Sequence, residues 1–312
     1  MARVAFLGPS GTFTEAALLS QSDLAEEERR SERAVPDVIT AVEKGEAEFG
    51  VVPIENSIEG AVTVTLDTLA FDTDLLIQRE IVLPVSLSLL ARDGARKADL
   101  KTVISHPQAT AQCRMWLAKN LKGAAVEAAN STAEAVERVA RSQRKDIAAI
   151  GTAHAASIYK LKTFAKDIED HPENETRFVL IGRGVPAPSG HDKTSIVCFQ
   201  KQDRPGSLLA ILQEFAARAI NLTKLESRPT KRGLGDYCFF IDLEGHVSDE
   251  LVADCLRNLV AKTAEVKFLG SYPAGHHEAG DRRRAATKAW RDASAWLEHI
   301  RSQVRAMPEI PH

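Results

Sequence analysis

No apolar run in this 312-residue chain approaches the roughly 20 residues of a membrane-spanning helix, so no segment is expected to cross a bilayer. The opening, Met1-Ala2-Arg3-Val4-Ala5-Phe6-Leu7-Gly8, is broken by Pro9 before it reaches the length of a signal-peptide core. Neither sign of charge is in excess: 40 Lys and Arg against 43 Asp and Glu leave a net charge of -3. Nucleic acid and anionic membrane therefore have no electrostatic claim as partners. The four cysteines, Cys113, Cys198, Cys238 and Cys255, form no Cys-x-x-Cys pair and fit reduced, buried thiols in a cytoplasmic protein. The chain also lacks internal repeats and low-complexity segments.

What is present is an ordinary globular composition, 44% hydrophobic and 27% charged, on a chain long enough for two domains and an extra element. Val4 to Leu7 reads as a strand, and Gly8-Pro9-Ser10-Gly11-Thr12-Phe13-Thr14-Glu15 as a turn opening a helix capped by Thr12 or Thr14. A glycine turn feeding a helix N-terminus suits a small carboxylate. It has neither the Lys-Ser/Thr ending of a P-loop nor the spacing of a dinucleotide fingerprint. A helix from Pro36 to Glu43 and a strand from Phe49 to Val52 lead to the polar loop Pro53-Ile54-Glu55-Asn56-Ser57-Ile58-Glu59-Gly60. Open α/β sheets bind ligands at this position, just beyond a strand's carboxyl end.

After a helix over Val62 to Leu69, residues Leu75 to Arg92 alternate as strands passing between two lobes. Thr102 to Ile104 is a strand ending in a second polar loop, Ser105-His106-Pro107-Gln108-Ala109, before a helix carrying Gln112, Cys113, Trp116 and Leu117. His106 before Pro107 reads first as a structural hydrogen-bonder, and Cys113, with no activating base nearby in sequence, as a helix residue and not a nucleophile. A strand over Val126 to Ala129, a helix over Thr132 to Arg141, a strand over Ile147 to Ile150 and a helix after Thr152 complete the second lobe. Asn174-Glu175-Thr176-Arg177-Phe178 then enters a buried strand through Val179-Leu180-Ile181-Gly182, placing a hydroxyl and a guanidinium at its mouth.

Arg183 to Gly190 has linker composition. Beyond it, a strand at Thr194 to Phe199, a turn at Arg204 to Ser207 and a helix through Leu208, Leu209, Ile211, Leu212, Phe215 and Ala219 begin a new pattern. A strand at Asn221 to Arg228, a turn at Gly233-Leu234-Gly235-Asp236, a strand at Tyr237 to Leu243, a helix at Asp249 to Val260 and a strand at Val266 to Leu269 complete a βαββαβ unit. It carries no acid, base or metal cluster, so its expected job is binding. In the tail, His276-His277 reads as polar linker, and Trp290, Ala293, Leu297, Ile300 and Val304 as a narrow apolar helical stripe.

The four segments Gly8 to Glu15, Pro53 to Ser57, Ser105 to Ala109 with Gln112-Cys113, and Asn174 to Phe178 resemble, in order and spacing, the successive signatures of prephenate dehydratases. The second unit resembles an ACT regulatory domain, with Gly206-Ser207-Leu208-Leu209 at its first helix and Glu226-Ser227-Arg228-Pro229 on its second strand. Ser207 stands where that family often has Ala, a change expected to retune effector affinity and keep the pocket. No chorismate-mutase-like helical segment precedes Val4, which reads as the monofunctional form. The resemblance covers roughly Val4 to Tyr272 and does not extend to the tail.

The resemblance implies an α/β protein: a two-lobed, periplasmic-binding-protein-like catalytic domain over 1–182, its lobes roughly 1–80 plus 160–182 and 81–159. A linker over 183–192, a ferredoxin-like βαββαβ (ACT) domain over 193–272 and a helical tail over 273–312 follow. It further implies decarboxylative dehydration of prephenate to phenylpyruvate, feedback regulation by L-phenylalanine, no cofactor and no metal, and a homodimer or homotetramer formed through the ACT domains. By the same resemblance Thr176 is the catalytic residue, donating a hydrogen bond to the departing oxygen. Thr12, Glu55, Asn56, Ser57, Ser105, His106, Gln112, Arg177 and Phe178 are the expected substrate-binding set. Arg177 either clamps a substrate carboxylate or braces Glu175, and a true proton donor is sought among Glu55, Glu59 and His106. The effector set is Gly206, Ser207, Leu208, Leu209, Asn221, Glu226, Ser227, Arg228 and Pro229. Arogenate dehydratase, and an amino-acid sensor without turnover, are the alternative readings.

Overall fold

Short apolar runs alternating with capped helices build two sheets in the first 184 residues. The computed structural model describes residues 2–200, 205–231, 236–275 and 292–303, and the chain divides into units Met1–Gly184 and Val185–His312. The first unit begins with β1 (Arg3–Leu7), α1 (Phe13–Leu19), α2 (Ser22–Ala25), β2 (Glu28–Glu32), α3 (Val35–Glu43), β3 (Phe49–Asn56), β4 (Gly60–Ala61), α4 (Thr63–Asp67) and β5 (Leu76–Pro84). There follow β6 (Ser88–Ala91), β7 (Thr102–Ser105), α5 (Pro107–Gln112), α6 (Arg114–Asn120), β8 (Ala125–Ala128), α7 (Thr132–Arg141), β9 (Ile147–Gly151), α8 (Ala153–Tyr159) and β10 (Lys162–Ala165). The unit closes with β11 (Glu175–Gly182).

One sheet has the order β2-β1-β3-β11-β5, with β4 on β3; the other has the order β10-β6-β9-β7-β8. The chain thus crosses between lobes twice, from β5 to β6 and from β10 to β11. The crossings are bonded together, Val85 N donating to Asn174 O at 2.8 Å and Ile168 N to Leu87 O at 3.0 Å. Residues 160–182 were expected in the first lobe, but β10 pairs antiparallel with β6, Lys162 opposite Ala91, and so belongs to the second. The expected single helix through Gln112 and Trp116 is also two. It breaks at Cys113, and the Asp170 carboxylate accepts from Met115 N (2.9 Å) and Trp116 N (3.3 Å), capping the new helix start.

Each lobe has its own core. Val4, Phe6, Leu18, Val51, Ile81, Phe178 and Leu180 fill the first, and Leu87, Leu89, Val103, Cys113, Ala148 and Ile150 part of the second. β9 is buried along its whole length, as its run Ile-Ala-Ala-Ile-Gly requires of a central strand covered on both faces. Gly151 ends it because α7 lies so close that a Cβ there would overlap Val136 Cγ2.

The second unit contains β12 (Asp192–Gln200), α9 (Ser207–Ala216), β13 (Leu222–Pro229), β14 (Tyr237–Glu244), α10 (Glu250–Asn258) and β15 (Ala264–Pro273). Its antiparallel sheet has the order β13-β14-β12-β15. Alternate residues Ile196 and Cys198 on β12 and Phe239, Ile241 and Leu243 on β14 meet Ile211, Phe215, Val252 and Cys255 from the helices. This is the ferredoxin-like arrangement expected of βαββαβ. The proposed turn at Gly233-Leu234-Gly235, the pair His276-His277, and Trp290 and Val304 of the apolar stripe lie outside the described residues. Residues 292–302 are helical, with Leu297 and Ile300 exposed.

Gly151→Ala should destabilise the protein by about 1–3 kcal/mol through overpacking. Val136→Ala removes the obstructing methyls, so in urea denaturation the double variant should lose less than the two single losses combined.

Candidate active site

The strand partners β3 and β11 place Thr176 opposite Asn56 and Arg177 opposite Glu55. Side chains alternate across a strand, so Thr176 and Phe178 share one face and Arg177 takes the other. The Thr176 face forms the floor of a cleft of about 530 Å³ between the lobes. The first lobe contributes Thr12, Phe13, Thr14, Arg33, Asn56, Glu59 and Val62 to its walls, and the second contributes His106, Gln108, Gln112, Asn130, Ser131 and Thr132. β3 was expected to end at Val52. It continues to Asn56, because β11 pairs with it through Thr176, and this extension carries Asn56 to the cleft.

The Thr176 hydroxyl has a defined polarity. Asn56 Nδ2 donates to Thr176 Oγ1 at 2.9 Å, and also contacts Asn174 Oδ1 (2.8 Å) and Glu175 O (3.1 Å). Asn56 Oδ1 accepts from Ile58 N and Glu59 N, both at 3.0 Å, which fixes the amide so that its N–H groups face Thr176. Thr176 accepts from the amide, and no described residue accepts its proton. The hydroxyl can therefore donate into the cleft.

Across the cleft, Gln108 Nε2 and Gln112 Nε2 approach the Glu59 carboxylate at 3.4 and 3.3 Å. Gln112 Oε1 accepts from Asn174 Nδ2 at 3.2 Å, tying the second lobe to the strand entrance. His106 lines the cleft and caps α5, its Nδ1 accepting from Gln108 N at 3.4 Å. With Nδ1 an acceptor, a neutral ring carries its proton on Nε2. The Gly8 to Thr14 loop is docked on the second lobe: Thr152 Oγ1 donates to Gly11 O at 3.0 Å and Tyr159 OH to Ser10 O at 3.2 Å. Gly11, at φ +94°, is required there, since a Cβ would sit 3.0 Å from Ala155 Cβ.

Of the expected substrate-binding set, Thr12, Asn56, His106, Gln112 and Phe178 line the cleft beside Thr176, and four residues do not. Ser105 is fully buried and donates to Ile150 O at 2.7 Å, pinning β7 to β9. Ser57 donates to Asn174 Oδ1 (3.1 Å) and accepts from Glu175 N (3.0 Å), bracing the loop. Glu55 and Arg177 lie on the back of the sheet, with Arg177 NH1 3.3 Å from Glu55 Oε2 and Arg177 Nε 2.5 Å from Glu80 Oε1. Arg177 thus clamps the carboxylates of Glu55 and Glu80. Thr12 lines the cleft, but its hydroxyl donates to Leu7 O (3.1 Å) and accepts from Glu15 N (3.3 Å), making it the cap of α1. Cys113 is fully buried, and burial, aided by Asp170 and Glu169, pushes its thiol up to about 12.

Sequence reading missed Arg33 and Asn130-Ser131-Thr132. The second group carried a usable signal, a polar triplet directly after a strand with Ser131 capping α7 through Glu134 N at 3.0 Å. Among the described residues no cluster of three His, Cys, Asp or Glu side chains is placed to hold a metal, and no helix is long and apolar enough to cross a membrane.

The family model for prephenate dehydratase matches residues 4–185, and that for the ACT domain matches residues 194–261. This chain belongs to the prephenate dehydratase family. It is 42% identical over 316 residues to the prephenate dehydratase of Mycolicibacterium vanbaalenii, covering 96% of this chain and 99% of that one. The crystal structure of the Arthrobacter aurescens prephenate dehydratase in complex with L-Phe superposes with a TM-score of 0.87 at 38% identity, over 96% of this chain and 99% of the other. GqqA, described as a novel type of quorum-quenching acylase, superposes with a TM-score of 0.77 at 28% identity, over 87% and 98%.

The back-face cluster separates stability from catalysis. Arg177→Met withdraws the guanidinium from Glu80, whose side chain is 1% exposed, and should cost about 3–5 kcal/mol in urea denaturation. A loss of activity at unchanged stability would instead assign Arg177 to the substrate.

Proposed function

We propose that this protein converts prephenate to phenylpyruvate, water and carbon dioxide, and that L-phenylalanine regulates it through the second unit. The observation that carries the reading is the Thr176 hydroxyl on the cleft floor, accepting from Asn56 and left with a proton to donate. In the reaction the bond from the ring to its carboxylate breaks, its electron pair enters the ring, and the ring hydroxyl leaves with one added proton as water. Aromatisation drives the step. The protein has to stabilise negative charge on the departing oxygen, which a fixed donor in a cleft does well. The N–H that Asn56 gives Thr176 polarises the hydroxyl and makes it the stronger donor. An alcohol is too weak an acid to surrender its proton outright near neutral pH, so Thr176 acts electrostatically. Glu59 and His106, both in the cleft, are the groups from which the proton can come; Glu55 is held behind the sheet by Arg177.

Acyl transfer of the kind named for GqqA needs an activated nucleophile. Here the Ser105 and Ser57 hydroxyls donate to Ile150 O and Asn174 Oδ1, and the Cys113 thiol is buried and protonated. Elimination, which needs donors and no nucleophile, fits the same residues better. Arogenate shares the ring chemistry and differs in the side chain, so turnover of the two substrates compared on one preparation decides between them. A sensor without turnover would give no phenylpyruvate from either.

In the second unit, Gly206 (φ +88°) precedes α9, and Ser207 to Leu209 form its first turn. The β12-β14-β13 register sets Phe199, Cys238 and Arg228 side by side, so this turn and Glu226 to Pro229 lie at one end of the sheet. Asn221 lies at the other end, its Nδ2 donating to Glu244 Oε1 at 2.9 Å. The eight residues of β13 separate the two ends by roughly 25 Å, so one protomer's pocket does not include both. We assign effector binding to the turn and the end of β13, and assembly to a dimer or tetramer through this unit. A cytoplasmic setting belongs to the same reading.

Thr176→Val keeps the β-branch and deletes the donor. It should lower kcat roughly 10²- to 10³-fold at unchanged stability, and a change of threefold or less would remove Thr176 from the chemistry. L-Phenylalanine should shift KM or kcat by a coupling of about 1–3 kcal/mol, and a flat response with the second unit folded would leave that unit without its assigned role.

A further inference from the structure

A substrate with two carboxylates needs positive charge, and the expected source, Arg177, faces away from the cleft. Arg33 supplies it. The parallel strands β1 and β2 run in register to their last pair, Leu7 opposite Glu32, and Gly8 N donates to Glu32 O at 2.8 Å to extend the ladder one step. Arg33 therefore leaves the sheet beside the Gly8 turn, at the cleft wall. A Cβ at Gly8 would overlap Ser31 Oγ, so a glycine is what lets the two strand ends approach this closely. Arg33 is exposed and makes no ion pair or hydrogen bond with any described residue. Its acidic neighbours are engaged elsewhere, Arg30 holding both Glu32 (2.5 Å) and Glu46 (2.7 Å). Among the described residues lining the cleft, Arg33 is the only Arg or Lys.

The two carboxylates of prephenate differ in fate. The ring carboxylate loses its charge as it departs, so a cation paired with it would stabilise the reactant more than the transition state. The 2-oxo carboxylate of the side chain keeps its charge throughout. We propose that Arg33 binds this surviving carboxylate, as a charge-assisted fork that anchors the substrate equally before and during reaction. The assignment rests on the dehydratase reading for its substrate and adds the residue that selects it.

Uniform anchoring appears in KM and not in kcat. Arg33→Gln should raise the KM for prephenate roughly 10- to 100-fold, with kcat within about twofold and the melting temperature unchanged. Arg33→Lys, which keeps the charge and loses the fork, should fall between. Raising ionic strength should increase the wild-type KM more than that of Arg33→Gln. A KM for Arg33→Gln within twofold of wild type, or a fall in kcat with KM unchanged, overturns the proposal. Phenylpyruvate retains the side-chain carboxylate and lacks the ring one, so calorimetric binding of phenylpyruvate tests the anchor without turnover. Its affinity should drop about tenfold or more in Arg33→Gln, and equal binding overturns the anchor. Wild-type protein that binds phenylpyruvate through Arg33 yet leaves prephenate unchanged refutes the dehydratase reading while the anchor stands.

Discussion

One buried amide, Asn174, fixes the geometry on which the cleft depends. It is 1% exposed, and all four of its polar groups are engaged. Its Oδ1 accepts from Asn56 Nδ2 and Ser57 Oγ, and its Nδ2 donates to Gln112 Oε1. Its backbone O accepts from Val85 N while its N donates to His171 O. These partners come from β3, from the loop after it, from α5 and from both interlobe crossings. A half-satisfied network of this kind is costly in a low dielectric, so its members hold one arrangement. That arrangement turns the Asn56 amide toward Thr176 and ties Gln112 of the opposite lobe to the same point. Asn174 does not itself line the cleft, yet the direction of the Thr176 hydroxyl follows from it.

The period of β11 does the rest. Thr176, Arg177 and Phe178 are neighbours in sequence, and a strand sends the first and third to the cleft and the second behind it. Pattern alone made this segment a strand and marked it as polar at its mouth. Which face meets the cleft depends on pairing with β3 and β5, whose Glu55 and Glu80 receive the guanidinium. Those partners are remote in sequence, and local reading could not weigh them. The same limit explains the helix break at Cys113, imposed by a carboxylate from Asp170, and the transfer of β10 to the second sheet. Arg33 was illegible for a related reason. It follows the strand β2, whose sequence Glu-Arg-Arg-Ser-Glu has none of the apolar alternation by which strands are recognised. That strand is held in the sheet by its parallel partner β1. By contrast, the four polar segments at strand ends and the βαββαβ order were readable, because each rests on short-range signals of turn, cap and period.

Several hydroxyls that looked equivalent in sequence are distinguished by what they already bond. Ser105, Ser57 and Thr12 each donate to an acceptor within the protein and serve the scaffold. Thr176 only accepts from it. A hydroxyl has a single proton, so a group that gives it to the backbone has none for a substrate. This accounting selects one donor from a set that motif membership treats alike. The scaffold fixes where side chains sit, and the distribution of protons among them decides what they can do.

Charge is sparse where the proposed reaction needs it to be sparse. Decarboxylation turns an anion into a neutral gas, so any cation that grips the departing group raises the barrier it is meant to lower. Arg177 would do this if it faced the cleft, being close to Thr176 in the chain. Instead Glu80 and Glu55 hold it on the far side of the sheet, where its charge is neutralised by the protein itself. The back-face cluster thus has a catalytic consequence without contacting substrate: it removes a strong cation from the floor of the site. What remains at the floor is a neutral donor, the Thr176 hydroxyl polarised by Asn56, able to stabilise the developing hydroxide without stabilising the carboxylate beyond its need. A guanidinium at the cleft wall, beside the Gly8 turn, is compatible with this because its partner carboxylate never leaves.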